Sequence, residues 1–189
     1  YTPVKGQAES QKLTIKPYKA GEENPNVITF YYYKNVELTA NSDEKVYNGS
    51  EQSVSGFTGA SADADFSAIT VGAKGTDVGT YPAEFADGTV GTVDANNKYI
   101  VTEANNGQLV IKPITENTIT ITAASGSKTY DGTPLTNNGF SYTEGVLVKG
   151  DVLTAVVEGS ATNVGDEGKN VVKSYKVTRE SDGKDVTKN

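Results

Sequence analysis

Four residue types are missing from this 189-residue sequence: cysteine, histidine, methionine and tryptophan. Without cysteine there is no disulfide framework and no thiolate nucleophile. Without histidine the commonest general base and the commonest transition-metal ligand are gone. With no methionine at its start, the sequence is expected to be a piece of a longer chain. No apolar run of membrane-spanning length, signal peptide or lipid-anchor motif is visible in this stretch, so membrane insertion is not expected of it. Hydrophobic residues make up only 35%, which suits several small cores in series better than one large core. The net charge of −7 disfavours a nucleic-acid partner and suits a solvated surface.

Catalytic signatures are equally scarce. No G-x-S-x-G elbow, P-loop or dinucleotide fingerprint occurs. Asp63-Ala64-Asp65-Phe66-Ser67 imitates the start of a calcium loop. Its sixth position is Ala68 instead of glycine and its twelfth is Lys74 instead of glutamate, so it reads as a solvated acidic turn. Paired carboxylates for glycoside hydrolysis need a cleft, and small β modules offer little room for one. The chain is therefore expected to be non-catalytic, with no cofactor and no metal.

What the sequence does contain is a repeat. Val36–Phe57 reads VELTANSDEKVYNGSEQSVSGF and Ile119–Phe140 reads ITITAASGSKTYDGTPLTNNGF, at a constant offset of 83 residues (Tyr47 to Tyr130, Gly49 to Gly132, Phe57 to Phe140). Similarity resumes at Thr76-Asp77-Val78-Gly79 and Thr162-Asn163-Val164-Gly165. Each copy opens with period-2 alternation, with Val36/Leu38 and Ile119/Ile121 inward and the residues between them outward, which predicts half-buried strands. Tyr47-Asn48-Gly49 and Tyr130-Asp131-Gly132 then predict structural turns, because glycine supplies the positive φ and the tyrosine ring packs against the domain end. Asn48-Gly49-Ser50 also matches a glycosylation sequon, read here as coincidence. No segment sustains a helical period over three turns; Ser61–Ser67 is a candidate for a brief helical turn. The expectation is an all-β chain: residues 36–115 as copy one, and residues 116–189 as copy two, lacking its last strands. These are small β-sandwich or β-grasp-like modules of six to eight strands each, in an elongated tandem arrangement.

Residues 1–35 differ, with strand candidates at Gln11–Lys16 and Val27–Tyr33. Gln11-Lys12-Leu13-Thr14-Ile15-Lys16-Pro17 is similar to Gly107-Gln108-Leu109-Val110-Ile111-Lys112-Pro113, which closes copy one. Two readings follow. Residues 1–35 are the tail of an upstream module, or residues 1–17 supply the strand that copy two lacks, either within the chain or between neighbouring molecules.

From Tyr1-Thr2-Pro3-Val4 through Gln11–Ile15 to Asn26-Val27-Ile28-Thr29-Phe30-Tyr31-Tyr32-Tyr33, the first 35 residues resemble the C-terminal half of a mucin-binding-protein (MucBP-type) repeat, whose fold is β-grasp-like. The later copies resemble the Tyr-Asp-Gly repeats of bacterial adhesins, through Lys128-Thr129-Tyr130-Asp131-Gly132-Thr133. The resemblance implies an extracellular segment of a Gram-positive, cell-wall-anchored surface protein. It would act as a stalk or spacer beside neighbouring repeats, with weak contact to host glycan or mucin. The alternative it implies is a dedicated carbohydrate- or mucin-binding module. In either case Tyr31, Tyr32 and Tyr33 are the candidate contact residues, since aromatic faces stack on sugars; the competing reading is that they fill a small core and shield an edge.

Overall fold

The computed structural model describes residues 2–5, 15–17 and 19–189. Among the described residues there are thirteen strands and no helix, so the fold is all-β. The chain divides into two compact units, each discontinuous in sequence. Unit 1 comprises Tyr1–Ser42, Val54–Ala73 and Pro82–Gln108; unit 2 comprises Asp43–Ser53, Lys74–Tyr81 and Leu109–Asn189. Residues 36–115 thus contribute to both.

Unit 1 is organised by β2 (Tyr32–Ala40), whose residues alternate between solvent and interior. A short β1 (Thr2–Pro3) pairs antiparallel with Tyr32 and Tyr33. At Thr39, β2 carries partners on both edges: β5 (Phe57–Thr58), antiparallel, and β8 (Tyr99–Asn105), parallel. Thr102 is the extra residue of a bulge in the β2–β8 ladder, and its hydroxyl donates to the Val36 carbonyl at 3.2 Å. Val36, Leu38, Phe66, Tyr99 and Val101 form the buried core, and Phe57, Ile69 and Phe85 pack against it. The Phe57 and Phe85 rings meet tilted, 5.9 Å between centroids. The expected inward set Val36/Leu38 is therefore found inside. Gly59 is required where it stands: its φ is +98° and a Cβ there would lie 1.9 Å from the Glu37 carbonyl oxygen.

Two further sheets have strands whose residues fall in both units. β3 (Asp43–Val46), β9 (Gly107–Lys112) and β7 (Gly79–Ala83) make one, in the order β3-β9-β7, and β4 (Gln52–Ser55) with β6 (Gly72–Gly75) makes the other. In unit 2, β3 runs parallel to Leu109–Lys112, and Leu109 and Ile111 are fully buried. Unit 2 also holds two antiparallel pairs, β10 (Ile121–Ala123) with β11 (Phe140–Tyr142), and β12 (Asp151–Glu158) with β13 (Val171–Arg179). The second ladder shifts register between Val156 and Val157, leaving Lys173 as the bulged residue.

The repeat is legible in the local geometry. Thr39↔Thr58 and Ala40↔Phe57 in copy one become Thr122↔Ser141 and Ala123↔Phe140 in copy two, the same register 83 residues on. Asn41 donates its backbone N–H to the Gly56 carbonyl at 2.9 Å, and Ala124 donates to Gly139 at 2.8 Å. The copies differ in completeness. The eight strands β2–β9 belong to the first, and only four, β10–β13, to the second. Ile121 opens a three-residue strand, Ile119 lies outside it, and both are half-buried. Among the described residues, no strand corresponding to β8 or β9 pairs with them. The stretch 126–129, which corresponds to β3, forms no strand, because β3 pairs only with β9.

Near the N-terminus the strand begins later than expected. Val27–Tyr31 is not in a strand, and Val27 and Phe30 are exposed; pairing starts only at Tyr32, where β1 provides a partner. Gln11–Thr14 lie outside the described residues, and Ile15 and Lys16 are in no strand. Ser61–Ser67 forms a turn, closed by the Ala64 N–H on the Ser61 carbonyl at 3.0 Å, in place of a helical one.

This asymmetry predicts unequal costs for equivalent truncations. Leu38→Ala empties a fully buried position and is expected to cost about 2–5 kcal/mol. Ile121→Ala, half-buried, is expected to cost about 1 kcal/mol. Urea midpoints at unchanged slope would read the difference; equal losses would show that β10 is as well covered as β2.

Candidate functional site

Unit 2 contains an open groove of about 620 Å³, walled by Ile119, Ile121, Leu153, Val172, Val177 and Val186. Two strands border it with an edge unpaired among the described residues. β10 is paired through one edge to β11 and, among the described residues, to nothing on the other. β13 is paired to β12, and its C-terminal end is also covered: Val186 donates to the Val177 carbonyl at 2.9 Å and Arg179 to the Lys184 carbonyl at 2.8 Å. Among the described residues, the stretch Val171–Lys176 is hydrogen-bonded to β12 alone, with β10 close by but not paired to it. The groove therefore combines buried and half-buried apolar side chains with a backbone edge unpaired among the described residues, the two requirements for receiving an extended chain.

Tyr47 and Asp151 stand at the rim of the groove and lead into a polar clasp. Arg179 is buried there. Its Nε donates to the Tyr47 hydroxyl at 3.4 Å and its guanidinium lies 5.8 Å from the centre of the Tyr47 ring. The guanidinium also donates to the carboxylates of Asp77 and, at 2.9 Å, Asp182. Lys184 donates to the other oxygen of Asp77, and Asn189 Nδ2 to the first at 3.3 Å. The Tyr47 hydroxyl reaches the Asp151 carboxylate at 3.2 Å. Burial works against the charge on Arg179, but its bonds to Tyr47 and Asp77 more than reverse that and raise its pKa. Burial raises the Tyr47 pKa, with the nearby Asp151 charge adding to it and the Arg179 hydrogen bond opposing. The Lys184 hydrogen bond and the Arg179 guanidinium hold Asp77 below the ordinary carboxylate range, despite partial burial. Arg179, Tyr47 and Asp77 are thus held in their usual charge states at neutral pH. Together these three groups offer a fixed charge pattern.

The predicted residues divide between the units. In unit 1, Tyr33 is 7% exposed and its ring is not a surface, whereas Tyr31 and Tyr32 are 65% and 53% exposed. An aromatic contact built on this run therefore narrows to Tyr31 and Tyr32. In unit 2, Asn48 and Asp131 make the same turn: Asn48 Oδ1 accepts from the Ser50 N–H at 3.0 Å and Asp131 Oδ1 from the Thr133 N–H at 2.9 Å. Gly49 and Gly132 have φ of 77° and 78°. Their tyrosines part company, since Tyr47 is 4% exposed and Tyr130 62%. A Cβ on Gly49 would lie 2.8 Å from Val148 Cγ1, whereas Gly132 faces open space. Asp63 accepts from the Tyr99 hydroxyl at 2.7 Å and Asp65 from the Ser67 N–H at 3.1 Å, so both acids are engaged within the protein.

Asp77, Asp151, Arg179 and Lys184 escaped the motif search. Two signals pointed to them. Asp77 sits in the repeated Thr-Asp/Asn-Val-Gly turn, and Arg179 is the one arginine beside sixteen lysines. Arginine's planar fork suits a buried site with several acceptors, where lysine does not. No family model, no curated protein and no solved structure matches this chain.

Asp77→Asn is expected to destabilise the fold by about 1–3 kcal/mol, the range for hydrogen bonds to charged groups. The folded-state pKa of Asp77 lies below its unfolded value. Its contribution is therefore complete above about pH 4 and fades as pH falls through the folded value. Urea melts at pH 7 and pH 3 should show a smaller acid-induced loss in the variant than in the wild type.

Proposed function

We propose that this chain is a non-catalytic repeat segment of a bacterial cell-surface adhesin, acting as a stalk or spacer with weak contact to host glycan or mucin. One observation carries the reading: the two sequence copies share strand register and turn geometry 83 residues apart, from Thr39↔Thr58 to Thr122↔Ser141. Repetition of a small β unit lengthens a chain without building a deep reaction centre. The copies are read as modules 36–115 and 116–189, with residues 1–35 as the tail of a MucBP-like module. The acidic surface and the lack of oxidisable cysteine and methionine suit exposure outside the cell. Neighbouring repeats are the structural partners, and weak contacts on many of them add through effective concentration.

A second reading, a dedicated carbohydrate- or mucin-binding module, is favoured by the exposure of Tyr31 and Tyr32.

Two measurements test these readings. Pulled from its ends, the chain should unfold in more than one step; a single cooperative rupture of the whole chain would remove the spacer of repeats. Beads carrying many copies should be retained on a mucin surface, and Tyr31→Ala with Tyr32→Ala should reduce retention severalfold. Failure of the multivalent wild type to be retained would leave the spacer reading alone. Retention of single chains as strongly as of beads would favour the dedicated module.

A further inference from the structure

The groove of unit 2 has a counterpart that is filled, and the comparison identifies what it would accept. After the Thr76–Gly79 turn, β7 lies next to β9, with Leu109 and Ile111 of β9 fully buried. After the similar Thr162–Gly165 turn, β13 presents Val171–Lys176 with its outer edge unpaired among the described residues. The missing neighbour of β13 is therefore a strand of the β9 kind, with Leu-x-Ile facing inward.

The chain carries a second copy of that pattern. Leu13-Thr14-Ile15-Lys16-Pro17 matches Leu109-Val110-Ile111-Lys112-Pro113 at every position but one. Ile15 is 82% exposed, whereas Ile111, its match, is buried. The backbone at Lys16 is already held as a strand partner would hold it: its N–H donates to Asn26 Oδ1 at 2.7 Å and its carbonyl accepts from Asn26 Nδ2 at 2.8 Å. In an extended chain the N–H and C=O of the preceding residue point the opposite way, leaving Ile15 to pair elsewhere.

We propose that the groove is a strand-acceptor site and that its occupant is the Leu13–Lys16 segment of a second copy of this chain. The segment adds along Val171–Lys176 and turns Leu13 and Ile15 toward Leu153 and Val172. Main-chain bonds supply affinity and the alternate apolar side chains supply register. Donor and acceptor are different surfaces, so the contact is heterologous and propagates into open chains or closes into a ring. The inference stands independently of the adhesin reading.

Sedimentation velocity of the full chain over a concentration series should show mass rising above the monomer. Ile15→Asp, at an exposed position, should abolish the rise and leave the circular dichroism unchanged. Ile119→Asp places a charge in the groove outside any strand and should abolish it too; Val172→Asp serves if the first variant loses its fold. The decisive arm mixes the two defects. Ile15→Asp retains an acceptor and Ile119→Asp retains a donor, so together they should give a discrete dimer that neither gives alone. A wild type that stays monomeric, association that survives Ile15→Asp, or a mixture without a dimer would each overturn the proposal.

Discussion

Parallel pairing of β8 with β2 is the interaction on which unit 1 rests. β2 already has β5 on one edge at Thr39; β8 closes the other edge over Lys34–Thr39. The same strand delivers Tyr99 and Val101 to the core that covers Val36 and Leu38. One strand thus satisfies a row of backbone groups and removes apolar surface from water in the same step. Either alone would leave an edge open or a face wet, and each buried large side chain contributes only about 1.5–3 kcal/mol. β10 has the same register to its hairpin-side partner, yet Ile119 and Ile121 remain half-buried because, among the described residues, no strand plays the part of β8.

That contrast separates what a repeated sequence repeats from what it leaves to context. Turn chemistry is local, so Asn48 and Asp131 accept from the residue two positions on and both following glycines take a positive φ. Burial depends on distant partners, so Tyr47 is enclosed by Arg179 and Asp151 while Tyr130, in the same motif, stands in solvent. The all-β class, the inward Val36/Leu38 pair and the two turns were readable from alternation and Asn-Gly or Asp-Gly chemistry alone. The late start of β2 at Tyr32 and the short β10 were not, because each is set by the partner strand and not by the residues themselves. The Arg179 clasp joins residues 102 and 132 positions apart in sequence, beyond the reach of any local pattern.

The clasp illustrates a different economy from the apolar core. Burying a guanidinium is costly, and the carboxylates of Asp77 and Asp182 with the Tyr47 hydroxyl are what make it tolerable. Such an arrangement adds less net stability than its bonds suggest, but it is selective. The planar fork, the stacked ring and the two acids must all be in place together. In a chain whose other cations are all lysines on flexible stems, the single arginine joins a turn tyrosine and a turn aspartate within unit 2.

An open strand edge is ordinarily a hazard, and the residues around this one temper it. Lys173 and Lys176 are exposed on the stretch of β13 that is paired to β12 alone among the described residues, and Lys173 is the bulged residue that twists the edge away from a flat template. Charges and bulges of this kind discourage indiscriminate pairing. They leave one route to a favourable contact, which is to fill the groove with apolar side chains at alternate positions and so recover the burial that β9 provides through Leu109 and Ile111. Selectivity at the edge then comes from the groove and not from the backbone, since any extended segment offers hydrogen bonds but few carry a Leu-x-Ile pattern with polar residues on the other face.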